Sequence, residues 1–317
     1  MSDLGRVLVL AGGLSHEREV SLRSGRRVSE ALRAVGVDVE ECDADAGLLP
    51  KLLDDTPAAI FVALHGANGE DGAIRSVLEL VGVPYVGASP DACRVAFDKP
   101  AAKAAVRAAG LSTPTWVALP KETFHDLGAS AVLARIIERL GLPLFVKPAR
   151  GGSALGAGIV RRAEELPAAM VACFAYDDTA LVERYVRGTE VAVGVVDLGH
   201  GPEALPAVEI VPDGGAYDFA ARYTPGRTEF FVPARLPGDL TDLAAGAAVT
   251  AHRTLGLRDV SRTDLIIDRA GVVRFLEVNV APGMTDTSTL PMAAEAKDLE
   301  LGALCRDLLS IAATRRA

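Results

Sequence analysis

The stretch "FLEVNVAPGM", residues 275–284, sets two polar side chains, Glu277 and Asn279, into an otherwise apolar run. Two residues apart in a strand, they project from the same face. A third oxygen-bearing side chain, Asp264, interrupts the apolar segment "RTDLIID". The sequence "LIIDRAGVVRFLEVN" predicts a β-hairpin with a two-residue turn at Ala270-Gly271, which pairs Arg269 with Val272 and, counting back, Asp264 with Glu277. Paired residues share a sheet face, so Asp264, Glu277 and Asn279 converge; an odd loop without a bulge would turn Asp264 to the other face. Two carboxylates and an amide oxygen on rigid strands suit Mg²⁺, a hard cation completed by waters and substrate phosphates. The competing reading is a solvated sheet face with stray acids, and the apolar flanks argue against it.

A second stretch, "FVKPARGGSALGAG" (145–158), follows Lys147 with a glycine-rich loop. Glycine permits close backbone approach, and successive N–H groups can cradle phosphate oxygens. No GxxxxGK[ST] occurs, and no GxGxxG opens a helix after the first strand, so neither familiar nucleotide loop is present. An ordinary hairpin loop is the plainer reading of this stretch taken alone.

The elements that must position these groups fall into three regions. Residues 6–11 and 59–64 read as buried strands, with helices over about Val20–Val35 and Ala73–Val81 and a short strand at "PYVG". Strands alternating with helices predict a doubly wound parallel sheet, with ligands gathering beyond its carboxyl edge, where "GGLSHERE" and "HGANGEDG" lie. From about residue 89 the pattern becomes a small α+β unit: a helix from near Asp98 stopped by Gly110, "TWVAL", a helix over Ala129–Leu140, "LFVKPA", "GAGIVR", a short helix and "ALVERYV". From about residue 187 the chain is strand-rich, with a polar loop over 213–231, a helix over about 240–255, the acidic strands and a C-terminal helix. The expected division is 1–88, 89–186 and 187–317.

With 317 residues, half of them hydrophobic, the chain has ample core for more than one packed unit. A net charge of −9 argues against a nucleic-acid surface and leaves room for a small anion held by a few local cations. The four cysteines lack any CxxC pair, which predicts a reduced, disulfide-free cytoplasmic protein. The N-terminal apolar run is too short for a signal peptide, and no run reaches the roughly 18 apolar residues of a membrane span.

Taken together and in order, "GGLSHEREVSLRSG", "ALHGANGEDG", "FDK", "VKPARGGSALG", "VERYVRGTE", "YDFAARY", "SRTDLIID", "LEVNVAPGMTDTS" and "LPMAA" make the chain resemble the D-alanine–D-alanine ligases of the ATP-grasp superfamily, over nearly its whole length. The resemblance implies an α/β protein of ATP-grasp fold: an N-terminal doubly wound parallel-sheet substrate domain, a small central α+β domain and a C-terminal α+β catalytic domain. It implies ATP as cosubstrate, with Lys99 and Lys147 on its phosphates, Glu183 and backbone around Val186 on adenine, and Glu190 on the ribose. It implies Mg²⁺ on Asp264, Glu277 and Asn279, two ions in all, with Mn²⁺ able to substitute. Glu17 matches the residue that holds the first amino acid's ammonium, with His65 nearby, and Glu17, Ser153 and Tyr223 match a hydrogen-bonded set tying the N-terminal loop to the lid. Arg262 and the Gly283 N–H match the oxyanion stabilisers, and Ser288 the contact to the second substrate's carboxylate. A homodimer is also implied.

Each of these residues has a plain reading: Glu17 as a surface pair with Arg18, His65 as a loop cap, Arg262 as a solvated strand-edge charge. Three departures from the family pattern bear on substrate choice. The usual Glu-Gly-Ser-Ser of the lid is Gly151-Gly152-Ser153-Ala154, the lysine before the loop tyrosine is Arg222, and Thr289 replaces a bulky aliphatic in the acceptor pocket. Arg222 keeps the charge and can bind phosphate bidentately, and the lid and Thr289 departures motivate an alternative, a paralogue joining other amino or hydroxy acids in specialised metabolism or antibiotic resistance. A nucleotide-binding regulator without catalysis would not need the three metal-ligand positions and Arg262.

Overall fold

The computed structural model describes residues 4–213 and 226–315. Three sheets organise it. The first is parallel, order β2-β1-β3, from β1 (Val7–Ala11), β2 (Val39–Asp43) and β3 (Ile60–Val62). Every residue of β1 is buried, which is why the strand reads as an unbroken apolar run rather than an alternation. The helix Arg18–Ala34 packs on it and against the C-terminal helix Leu301–Thr314, so the two ends of the chain share one apolar cluster including Val9, Val28, Leu32, Leu304 and Leu308. The expected strand at "PYVG" is reduced to a single bridge, Tyr85 to Ile60.

The second sheet is antiparallel, order β4-β7-β5-β6, from β4 (Trp116–Pro120), β5 (Leu144–Pro148), β6 (Gly158–Val160) and β7 (Thr179–Arg184). The helices Ala129–Leu140 and Leu166–Phe174 bury Ile136, Leu140, Leu166 and Met170 behind it. The helix Lys99–Ala108 starts where Asp98 accepts a hydrogen bond from Ala101 N at 3.0 Å with Pro100 in the first turn, as its sequence predicts.

The third sheet has the order β11-β10-β8-β12-β13, from β8 (Gly188–Val196), β10 (Val208–Pro212), β11 (Thr228–Phe231), β12 (Val260–Asp268) and β13 (Val273–Asn279), with β9 (Glu203–Ala204) beside β8. The end of the expected polar loop is therefore strand: Thr228–Phe231 pairs with β10, and Phe230 and Phe231 supply the β propensity. Behind the sheet lies the helix Gly238–Thr254, whose small buried residues Ala244, Ala247, Ala248 and Ala251 let it approach Val191, Val193 and Leu265 closely. All four cysteines are free thiols. Among the described residues no helix is long and apolar enough to cross a membrane.

Candidate active site

The acidic strands meet as predicted, by a different turn. Asp264 pairs with Glu277 and Arg262 with Asn279, but Ile267 pairs with Val273, so the expected two-residue turn at Ala270-Gly271 is wrong. Asp268 N donates to Val272 O at 3.0 Å, and the Asp268 carboxylate accepts from Ala270 N and Val272 N, which stabilises a three-residue loop. The odd residue is cancelled by a bulge between Asp264 and Leu265, and that restores both carboxylates to one face.

Cations crowd this face. Lys147 Nζ lies 3.2 Å from Glu277 Oε2 and 3.4 Å from Glu183 Oε2, while Lys99 Nζ is 3.9 Å from Glu277 and donates to Gly151 O at 2.6 Å. Burial opposes the Lys147 charge, but Glu183 and Glu277 overcome it and push the group up to about 12. Arg262 grips Asp264 with two bonds, 2.7 and 2.9 Å, so it is locked in the site rather than solvated at a strand edge. Two residues apart on β12, the pair shares a face. Sequence reasoning missed Lys103, which is fully buried and 2.5 Å from Glu183 Oε1. The i, i+4 spacing of Lys99 and Lys103 on one helix was the available signal.

These groups divide between two cavities that share Lys99, Gly151, Gly152, Asp264 and Glu277. The larger, about 680 Å³, opens between the second and third sheets; Phe145, Ile159, Ile210, Ile266 and Leu276 give it apolar walls, and Lys147, Glu183, Val186 and Glu190 also line it. Its size and mixed lining suit a nucleotide. The smaller, about 80 Å³, brings together Glu17, His65, Ser153, Arg262, Asn279, Gly283, Ser288 and Thr289. Every expected site residue within the described chain therefore borders one of the two cavities; Arg222 and Tyr223 lie outside the described residues.

In the small cavity Ser153 Oγ donates to Glu17, bridging the glycine-rich loop after β5 to the loop after β1. Ser153 and Ala154 both adopt left-handed backbone, φ 55° and 54°, a conformation costing on the order of 1–3 kcal/mol at such a site. Gly152 beside them lets the loop lie against the Glu17 carboxylate, since a Cβ there would fall 2.8 Å from a Glu17 oxygen and push it aside. His65 Nδ1 lies 3.0 Å from Ala281 O and so carries the proton, leaving Nε2 to accept from Ser24 Oγ at 2.9 Å. Burial pushes His65 down to about 4, so the ring is neutral. Ser288 Oγ accepts from Thr285 N at 3.0 Å and would meet a Cβ on Gly283 at 2.6 Å. The buried Thr289 Oγ1 has no hydrogen-bond partner among the described residues.

The donor set Asp264, Glu277 and Asn279 is all hard oxygen, and Asn279 Oδ1, although accepting from Ala281 N at 2.8 Å, keeps a second lone pair. No group of three His, Cys, Asp or Glu that could hold a metal gathers among the described residues. The oxygen set fits a magnesium-class cation, and Arg262 and Lys147 beside it could pair with phosphate or acyl oxygens.

A nucleotide-sized cleft between two antiparallel sheets, with acids and lysines at its shared inner end, defines a phosphoryl-handling ATP-grasp protein. Residues 105–310 match the model of the D-ala D-ala ligase C-terminus, and residues 43–88 that of the N-terminus. The chain belongs to the D-alanine–D-alanine ligase family. It is 41% identical over 310 residues to a D-alanine–D-alanine ligase of Geotalea uraniireducens, covering 98% of this chain and 96% of that one, and 38% identical over 310 residues to one of Nitrosospira multiformis, covering 98% and 97%. Among solved structures it is similar to the D-alanine–D-alanine ligase of Bacillus anthracis, with a TM-score of 0.84, 28% identity and 97% of each chain covered. It is also similar to the VanG D-Ala:D-Ser ligase of Enterococcus faecalis, with a TM-score of 0.82, 27% identity, and 97% and 99% covered.

Proposed function

We propose that the chain is an ATP-dependent ligase that joins two D-alanines into D-alanyl-D-alanine for peptidoglycan synthesis. The observation that carries this reading is the sharing of Lys99, Asp264 and Glu277 between a nucleotide-sized cleft and a small polar cavity. That arrangement lets a γ-phosphate and an amino-acid carboxylate meet at one point. Family membership and the named relatives support the substrate.

In this reading Glu183 and the backbone at Val186 hold adenine, Glu190 the ribose, and Lys99 and Lys147 the phosphates. Glu17, with neutral His65 beside it, holds the first amino acid's ammonium. The first amino acid's carboxylate oxygen attacks the γ-phosphorus, ADP leaves, and an acyl phosphate forms. The second amino acid, its carboxylate on Ser288, attacks the acyl carbon through a deprotonated amine. Arg262 and the Gly283 N–H stabilise the oxyanion, and phosphate leaves with the oxygen it took from the first substrate. Asp264, Glu277 and Asn279 would hold Mg²⁺, which when bound offsets charge on the transferring phosphoryl group. The Ser153–Glu17 bond closes the lid loop over the acyl phosphate and excludes water. The reading also carries the three-unit division at residues 88 and 186, and a homodimer in the cytoplasm.

Thr289 alone favours a second reading, a paralogue whose acceptor brings a hydrogen-bonding group to the orphan hydroxyl. ADP release and product identification across D- and L-alanine, D-serine and D-lactate test both. Dipeptide from D-alanine, one per ADP, supports the first; predominant D-serine or D-lactate product supports the second.

A further inference from the structure

Glu70 belongs to no step described so far, yet it borders the small cavity and is only 6% exposed. One oxygen accepts from Gly66 N at 2.9 Å. That is the one hydrogen bond to the Glu70 carboxylate among the described residues. Gly66 stands between two carboxylates: its N–H holds Glu70, while a Cβ on it would fall 2.5 Å from Glu17 Oε2. Two acids thus flank one residue at the rim of a cavity that also receives an amino acid.

Building on the assignment of Glu17 to the ammonium, we propose that Glu70 is a second carboxylate of that subsite, protonated when the subsite is empty and releasing its proton to solvent as the substrate ammonium arrives between the two acids. The electrostatics agree. Burial and then the Glu17 charge push Glu70 up to about 8, against the Gly66 N–H, Arg262 and Lys99, which favour the anion. Groups facing it from the surrounding elements are Glu17 before the helix Arg18–Ala34, neutral His65 after β3, Lys99 at its helix start and Arg262 on β12. From the helix Ala73–Leu80, Arg75 donates to the neighbouring Gly69 carbonyl, and the helix Pro90–Phe97 contributes Ala96, Phe97 and the Cys93 thiol, which burial pushes up with Glu70 adding to the shift, so that it stays neutral. A cation placed beside a protonated carboxyl favours its anion, so the arriving ammonium draws the proton off Glu70.

The test is calorimetry of D-alanine binding to the full chain without nucleotide, at pH 7, in buffers of different ionisation enthalpy. Glu70 near 8 is about nine-tenths protonated at pH 7, so the wild type should release between about 0.5 and 0.9 proton per ammonium bound. E70Q keeps the acceptor for Gly66 N–H; it should release none and bind D-alanine about tenfold more weakly at pH 8, consistent with loss of a charge-assisted bond. A residue that only caps the Gly66 turn would give no proton release in the wild type, and that result overturns the proposal whether or not E70Q folds. E17Q separates the two assignments. If E17Q binds D-alanine as the wild type does, the ammonium subsite itself is misplaced and the Glu70 role falls with it. If E17Q weakens binding while the wild type releases no proton, the subsite stands and Glu70 is a cap.

Discussion

Replacing Lys103 with Met removes a fully buried ammonium that sits 2.5 Å from Glu183 and beneath the Trp116 ring, 5.6 Å from its centroid. Met fills much of the same volume, so the change is chiefly electrostatic. Removing one partner of a buried ion pair costs about 3–5 kcal/mol, because the other charge is left uncompensated. Glu183 retains Lys147 at 3.4 Å, and Phe275 O retains Thr113 Oγ1 at 2.8 Å, so the low end of that range, about 3 kcal/mol, is expected. The assay is urea unfolding with the slope held to the wild-type value. The double variant Lys103→Met, Glu183→Gln carries no stranded charge at this point, since Lys147 keeps Glu277 at 3.2 Å. It should return to within about 1 kcal/mol of wild type, a coupling of at least about 2 kcal/mol. Strict additivity of the two changes, or a Lys103→Met cost below about 0.5 kcal/mol, would refute the claim that Lys103 is the counter-ion of Glu183. If phosphate draws Lys147 away during turnover, Lys103→Met also raises the KM for ATP.

Glu277→Gln keeps shape and removes a negative charge from the oxygen set; turnover should fall more than about a hundredfold, and activity within tenfold of the parent at millimolar Mg²⁺ contradicts the metal assignment. His65 and His252 are both pushed down to about 4 by burial, against an ordinary value of 6.5. The unfolded chain therefore takes up protons before the native one does, so stability is complete above about pH 6.5 and drains as pH falls toward 4. At pH 5 the loss is about 2 kcal/mol per histidine, and His252→Gln should remove about half the slope; a flat profile between pH 7 and 5 would contradict it.

The convergence of Asp264, Glu277 and Asn279 was legible because strand periodicity and pairing leave few arrangements for three polar residues in apolar strands. The turn that delivers it was not, since the Asp268 carboxylate supports a longer loop and the bulge absorbs the extra residue, two errors of register that cancel. The start of the helix Lys99–Ala108 was legible from Asp98 and Pro100, yet its Ala-rich face concealed Lys103, whose importance depends on a sheet that closes over it. Glu70 was unreadable for a similar reason: in "HGANGEDG" nothing distinguishes a solvent-facing acid from one folded back against Gly66 beside a carboxylate some fifty residues earlier. Arg262 was identified, but its two bonds to Asp264 depend on side-chain geometry along β12, which residue types alone do not set.

In the proposed reaction an amino-acid carboxylate attacks ATP and passes an oxygen to phosphate. Turnover of D-alanine labelled with ¹⁸O in both carboxylate oxygens, with ATP and Mg²⁺, tests it by mass spectrometry of the products. One ¹⁸O in each inorganic phosphate, with one labelled carbonyl oxygen retained at the peptide bond, is the predicted result. Phosphate carrying no label while dipeptide accumulates would contradict the acyl-phosphate route and the placement of the two cavities on which it rests.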